Sequence, residues 1–133
     1  MSESAETPFD LIGGEPAVRK LVARFYEIMA RDEPALARLH PCDSEGRVAA
    51  ENQEKFALYF IGYLGGPQEY VARYGHPRLR MRHGRVAVNS EGRDAWMRAM
   101  RAAMLEEGVP EPLRSFLDQR LTDLADHMRN QPD

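Results

Sequence analysis

The sequence contains a single cysteine, Cys42, among its 133 residues. One cysteine excludes an internal disulfide and cannot build a cysteine-based zinc or iron–sulfur site. Long hydrophobic runs are also lacking, because no stretch approaches the roughly twenty apolar residues that a membrane span needs. The first residues, MSESAETPF, have neither the basic nor the apolar region of a secretory signal. We therefore expect a cytoplasmic protein that does not bind membranes.

Catalytic motifs are scarce as well. The sequence has no glycine-rich phosphate loop and no H-E-x-x-H, C-x-x-C-H or G-x-S-x-G motif. His40 and Cys42 could form a thiol–imidazole pair, but no third residue that would orient the histidine is evident. The formal net charge of −3 and the pI of about 5.8 argue against broad nucleic-acid binding.

Apolar residues recur at helical rather than alternating spacing in every long segment, which predicts an all-α fold. A length of 133 residues and a hydrophobic content of 43% suit one globular domain. We expect this domain to span residues 8–130, between short tails at 1–7 and 131–133. The predicted helices are 8–12, 15–32, 33–39, 46–64, 68–74, 91–107 and 111–130, with Ser90 as the cap of the sixth.

Four of these helices carry an apolar face that can form a core. In helix 15–32 the face consists of Val18, Leu21, Val22, Phe25 and Met29. In helix 46–64 it consists of Asn52, Phe56, Tyr59, Phe60 and Tyr63. The last two helices contribute Trp96, Met100, Ala103, Met104, Leu113, Phe116, Leu117, Leu121 and Leu124.

Three polar side chains on or beside these faces need an explanation. Tyr26 lies beside the stripe of helix 15–32, and Asn52 and Trp96 lie on the apolar faces of their helices. A buried hydrogen-bonding group without a partner costs roughly 1–3 kcal/mol. Backbone carbonyls or neighbouring side chains could satisfy the three groups, and so could a molecule bound in the interior.

The basic segment GHPRLRMRHGRVAV, residues 75–88, contains four arginines and two of the four histidines of the chain. One interpretation is a solvated charged surface, and a second is a surface that contacts phosphates. A third is a short irregular helix on which His83 supplies one nitrogen to the metal of an anionic cofactor. The residues alone leave these alternatives open.

Three stretches resemble group II truncated haemoglobins in their order and spacing: GGEPAVRKLVARFYEIM, YFIGYLGGPQEYVARYGHPRLRMRH and RDAWMRAM. The resemblance covers residues 8–130. It implies a two-over-two helical sandwich that holds non-covalent haem b, in which helices 15–32 and 46–64 form one pair and helices 91–107 and 111–130 the other. The glycine pairs at 13–14 and 65–66 match the turn motifs of the family.

The same resemblance assigns roles to individual residues. His83 matches the proximal ligand of the haem iron, Tyr26 the distal tyrosine, and Trp96 the tryptophan whose indole N–H points at the bound ligand. His40 occupies a position that usually holds an aromatic residue. Asn52 and Phe56 match two distal-helix positions that face the iron, with Gln53 as an alternative to Asn52.

Further residues of the predicted haem pocket follow from the same match. The walls are expected to include Tyr59, Phe60, Met100 and Val86, where Val86 replaces a phenylalanine common after the proximal histidine. The expected partners of the haem propionates are Lys55, Tyr70 and Arg82.

The function implied by the resemblance is binding of O₂, CO and NO at a histidine-ligated iron. Donors such as Tyr26, Trp96, His40 and Asn52 would retain O₂ strongly, because bound oxygen carries partial negative charge. Strong retention favours NO dioxygenation, peroxide reduction or O₂ sensing over simple transport, and redox chemistry needs a reductase outside this chain. We expect a monomer or homodimer. The alternative is a haem-free helical interaction module that retains the globin framework.

Overall fold

The computed structural model describes residues 6–38, 42–44, 47–75 and 90–128, and within these ranges it contains seven helices and no strand. The prediction of an all-α fold is confirmed. The helices are α1 (Pro8–Ile12), α2 (Gly14–Asp32), α3 (Pro34–Ala37), α4 (Ala50–Tyr63), α5 (Glu69–Tyr74), α6 (Ser90–Glu106) and α7 (Leu113–Met128).

Helix α2 lies at the centre and packs against both α6 and α4. Its predicted stripe is buried along its whole length, because residues three and four positions apart project from one side of a helix. Helix α6 in turn packs against α7. The helices of each predicted pair, α2 with α4 and α6 with α7, are therefore in contact. The contact of α2 with α6 joins the two pairs.

Two adjacent glycines allow the chain to turn closely against α1. Gly65 has a φ of +100°, a left-handed conformation that favours glycine. At Gly66 a Cβ atom would lie 2.7 Å from a ring carbon of Phe9. The N–H of Phe9 donates to the carbonyl of Leu64 at 2.9 Å. The turn after α4 therefore holds α1 against the molecule.

The start of α4 differs from the predicted range of 46–64. The N–H of Asp43 donates to the Arg47 carbonyl at 2.8 Å, and the N–H of Arg47 donates to the Asp43 carboxylate at 3.0 Å. Cys42 and Val48 form an isolated antiparallel bridge. These bonds hold the backbone in a turn, and a side chain that bonds to nearby backbone competes with helix formation. The prediction was therefore wrong for the first turn of this helix.

The predicted apolar faces need two further corrections. Phe116 is not in the core: it is 50% exposed, and the guanidinium of Arg120 lies 5.9 Å from its ring centre. On α4 only Phe60 of the predicted face is fully buried, and the core is filled instead by Ala57 and Ile61. The other observed helix ends lie within one or two residues of the predicted ends. Ser90 is the first residue of α6 rather than its cap.

An ion pair joins α2 to α4. The guanidinium of Arg19 donates to both carboxylate oxygens of Glu54, at 2.7 and 3.2 Å. The guanidinium lowers the pKa of Glu54, chiefly through these hydrogen bonds. Both side chains remain well exposed, so the pair is expected to contribute only modestly to stability.

We expect Glu54→Gln to lower the free energy of unfolding by about 0.2–1 kcal/mol at neutral pH. A carboxylate whose pKa is lowered by folding stabilises the protein above its ordinary pKa of 4.5, and that contribution disappears as the pH falls through the lowered value. Urea unfolding at several pH values should therefore show a difference between wild type and variant that shrinks in acid. Glu51→Gln is the matched control, because Glu51 lies on the same helix and its ion-pair partner, Lys55, is also in α4. An equal loss in both variants would contradict a role for the contact between helices.

Candidate functional site

Aromatic rings from α2, α4 and α6 meet at Phe56. The ring centre of Phe56 lies 5.8 Å from Phe25, 5.9 Å from Tyr26 and 6.2 Å from Trp96. Within α4 it stacks on Phe60 at 5.5 Å. These separations are typical of directly packed aromatic pairs. The structure therefore brings together Tyr26 and Trp96, which are seventy positions apart in the sequence, around a single phenylalanine.

The phenol of Tyr26 is buried and uncharged at physiological pH. Its side chain is only 7% exposed. Burial raises its pKa above the ordinary tyrosine value of 10, because the charged phenolate would lose its hydration. A neutral phenol keeps its proton and can donate a hydrogen bond. This side chain therefore has the chemistry of a hydrogen-bond donor held in an apolar surrounding.

Trp96 is half-buried at the same place. Its ring meets those of Phe25 and Phe56 edge to face, at interplanar angles of 68° and 90°. Within the described part of the chain, no hydrogen bond from its indole N–H is found. Met100, one helical turn further along α6, is completely buried in the core. Trp96 thus places a donor at the edge of the core, whereas Met100 supplies apolar packing.

Asn52 and Gln53 differ in how their side-chain amides are used. The amide of Gln53 donates to the Val48 carbonyl at 2.9 Å, which ties it to the segment before α4. Asn52 is half-buried and lies four residues before Phe56, a spacing that puts the two on one side of the helix. Among the described residues its side chain makes no hydrogen bond. The arrangement favours Asn52 over Gln53 as the neighbour of the aromatic cluster.

A second group of side chains lies where α4 meets α5. Tyr59 contacts Tyr70 at 5.8 Å between ring centres, and Tyr70 contacts Tyr74 at 5.0 Å. Burial raises the pKa of Tyr59 to about 12. The ammonium of Lys55 lies 5.3 Å from the ring centre of Tyr74 and 3.7 Å from Glu51. Lys55 and Tyr70, two of the predicted propionate partners, are therefore near each other beside the cluster.

Four predicted site residues lie outside the described residues. They are His83, the predicted iron ligand, together with His40, Arg82 and Val86. Their roles remain predictions from the resemblance.

The comparisons with known proteins agree on one family. The family model described as Bacterial-like globin matches residues 7–130. The chain belongs to the bacterial-like globins. It is 37% identical to the group 2 truncated hemoglobin YjbI of Bacillus subtilis over 98% of this chain and 94% of that protein. These matches confirm the predicted family.

Solved structures show the same relationship for this globin. The group II truncated hemoglobin of Bacillus anthracis is 34% identical, with a TM-score of 0.89 over 98% of this chain and 96% of that one. The group II 2-on-2 hemoglobin of Agrobacterium tumefaciens is 37% identical, with a TM-score of 0.87 over the full length of both chains. The predicted two-over-two fold is confirmed, and family membership implies haem-based binding of small diatomic ligands.

The described residues of this globin fit a haem. The core of the described ranges contains no buried charged side chain, which suits the apolar body of a porphyrin. Tyr26 and Trp96 supply neutral donors, and Lys55 supplies a cation beside the cluster. Among the described helices, none has the length and apolar character that a membrane span requires.

Three residues that contribute ring contacts here, Phe25, Tyr63 and Tyr74, were not predicted as site residues from the sequence. Phe25 was assigned to the core stripe of α2, yet its ring also contacts Tyr26, Phe56 and Trp96 and so belongs to the cluster. Tyr63 and Tyr74 extend the aromatic contacts along α4 and α5. The contact of Tyr70 with Tyr74 could have been predicted, because residues four positions apart are neighbours on one side of a helix.

Proposed function

We propose that this globin binds haem b through His83 and retains O₂ by hydrogen bonds from Tyr26 and Trp96. The observation that supports this proposal is the meeting of these two side chains at Phe56. Two neutral hydrogen-bond donors from different helices lie in one apolar environment and can bond to the same small ligand.

Haem would supply an iron with one open position for a diatomic ligand when His83 occupies the other. The residues of the chain then determine how long the ligand stays. The Tyr26 phenol and the Trp96 indole would donate hydrogen bonds to a partly negative diatomic ligand, and the surrounding apolar rings would make its surroundings poor in water. Lys55, Tyr70 and Arg82 are proposed to hold the propionates, with Tyr59, Phe60, Met100 and Val86 as walls.

Strong retention suits redox chemistry better than delivery of oxygen. A protein that releases O₂ slowly is a poor carrier, whereas a retained ligand stays available to a second reactant. We propose NO dioxygenation or peroxide reduction as the reactions, with O₂ sensing as the alternative use of the same site. Both reactions require electrons from a reductase or another donor outside this chain.

The absorption spectrum of the purified protein tests haem binding directly. We expect an intense Soret band and a pyridine haemochrome spectrum of the b type. Absence of the band after addition of haem would instead support a haem-free interaction module with a globin framework.

Rapid mixing of the oxygenated protein with NO separates turnover from storage. If the site performs NO dioxygenation, we expect immediate conversion to the ferric spectrum with formation of nitrate. Oxidation no faster than spontaneous loss of O₂ would exclude this reaction and leave peroxide reduction or sensing.

We propose His40 as an auxiliary donor, since it replaces an aromatic residue usual at its position. His40→Leu is expected to accelerate O₂ dissociation by less than Tyr26→Phe does, because an imidazole that acts through a bridging water also pays the entropy of holding that water, at most about 2 kcal/mol. Flash photolysis or stopped flow with both variants measures the difference. Identical rates for wild type and His40→Leu would assign the imidazole to a loop that faces solvent.

A further inference from the structure

Every tyrosine of the chain and its one tryptophan belong to a single network of ring contacts. The chain has five tyrosines and one tryptophan. Tyr26 and Trp96 contact Phe56, and Phe56 contacts Tyr59 at 6.3 Å. Tyr59 in turn contacts Tyr63 and Tyr70, and Tyr70 contacts Tyr74. These six residues are the readily oxidised aromatic side chains of the molecule, and none lies outside the network.

Part of this network leads from the candidate site to the surface. We call Tyr59, Tyr70 and Tyr74 the tyrosine row. Its ring centres are separated by 5.8 and 5.0 Å, so that neighbouring rings are packed directly on one another. The exposed fraction increases from 7% at Tyr70 to 38% at Tyr74. The row therefore begins at Tyr59, whose ring contacts Phe56 in the cluster, and ends at a ring that small molecules can reach.

Phenylalanine could supply the same ring packing as the tyrosines of the row. Phe56 and Phe60 show that phenylalanine packs well on the same helix. Phenylalanine differs from tyrosine in lacking the phenol, which is the group that gives up an electron and a proton readily. Tyr63 is a side branch, because its hydroxyl is directed to the Arg120 carbonyl at 3.4 Å and its ring does not lead to Tyr74.

We propose that the tyrosine row carries single oxidising equivalents from the haem site to Tyr74, where small phenols are oxidised. This proposal rests on haem binding and on hydrogen peroxide as the oxidant. Reduction of one peroxide to two waters takes two electrons and two protons. Each electron leaves Tyr74 with loss of its phenolic proton, and a phenol donor then returns one electron and one proton and becomes a phenoxyl radical. The overall reaction converts one peroxide and two phenols into two waters and two phenoxyl radicals.

The test maps the radical rather than activity alone. Haem-loaded protein is mixed with one equivalent of hydrogen peroxide in the presence of a nitroso spin trap, and the modified residues are located by tandem mass spectrometry. We expect an adduct on Tyr74 in the wild type. Tyr70→Phe should lose this adduct, because it removes the oxidisable group that links Tyr74 to the rest of the row. Tyr63→Phe is the matched control and should keep it.

A second variant tests whether the radical on Tyr74 oxidises phenols. Tyr74→Phe should lose the Tyr74 adduct and slow the oxidation of guaiacol by peroxide, while the Soret band and the O₂ dissociation rate stay as in the wild type. A Soret band without any Tyr74 adduct, or a Tyr74 adduct undiminished by Tyr70→Phe, would overturn the row as a path. Absence of the Soret band overturns haem binding itself and the row together, so the two failures are distinguishable.

Discussion

Replacing His83 with glycine is expected to weaken haem retention and to abolish histidine ligation of the ferrous iron. Loss of a partner that merely orients a metal ligand costs roughly 10- to 100-fold in affinity, so loss of the ligand itself should cost at least as much. Added imidazole should partly restore the ligation, because glycine leaves room for the missing ring. Resonance Raman measures the result through the iron–histidine stretch.

His76→Gly provides the matched control, since it removes the other histidine of the same basic segment. It should leave the iron–histidine stretch and the haem content unchanged. An unchanged stretch in His83→Gly would show that another residue ligates the iron.

Helix positions could be predicted from spacing where a helix has one buried side. Helix α2 is the clearest example, because its five predicted core residues are all buried. Helix α4 has two apolar sides, a core side with Ala57 and Ile61 and a half-buried aromatic side with Phe56. Spacing identifies apolar sides but does not tell which one faces the core. The first turn of α4 was mispredicted because hydrogen bonds of Asp43 compete with the helix.

The site was only partly predictable from the residues themselves. The position of Tyr26 beside an apolar stripe indicated that its hydroxyl needs a hydrogen-bond partner in the interior. That Tyr26 and Trp96 lie close together could be inferred only from the resemblance. Their meeting depends on how α2 crosses α6, a long-range packing that no local pattern encodes. The role of Phe25 was missed for the same reason, because a buried phenylalanine in a core stripe gives no sign of what it contacts.

Tyr26→Phe and Trp96→Phe are each expected to accelerate O₂ dissociation by about 10- to 100-fold. A hydrogen bond to a charged group is worth roughly 1.5–3 kcal/mol, and each 1.4 kcal/mol corresponds to about a tenfold change. Removal of a donor acts mainly on the bound state, so the effect should appear in dissociation rather than association. CO should respond less, because its bound form is less polar.

The contribution of Tyr26 to the retention of O₂ should also be independent of pH. Burial raises its pKa above the ordinary value of 10, so the phenol keeps the proton that it donates throughout the neutral and mildly alkaline range. The ratio of the dissociation rates of Tyr26→Phe and wild type should therefore stay level over this range. A ratio that falls as the pH rises through neutrality would show that Tyr26 ionises there and has lost its proton.

The double variant tests whether both donors address the same ligand. Because a remaining donor can reorient when its neighbour is removed, the two effects should not be additive. Tyr63→Phe is the matched control, since it deletes a hydroxyl whose partner is the Arg120 carbonyl and leaves the ring in place. Stopped-flow measurements, with haem content verified for each variant, give the rates. Equal O₂ dissociation rates in wild type, Tyr26→Phe and Trp96→Phe would remove both residues from ligand retention, and their meeting at Phe56 would then be explained by packing alone.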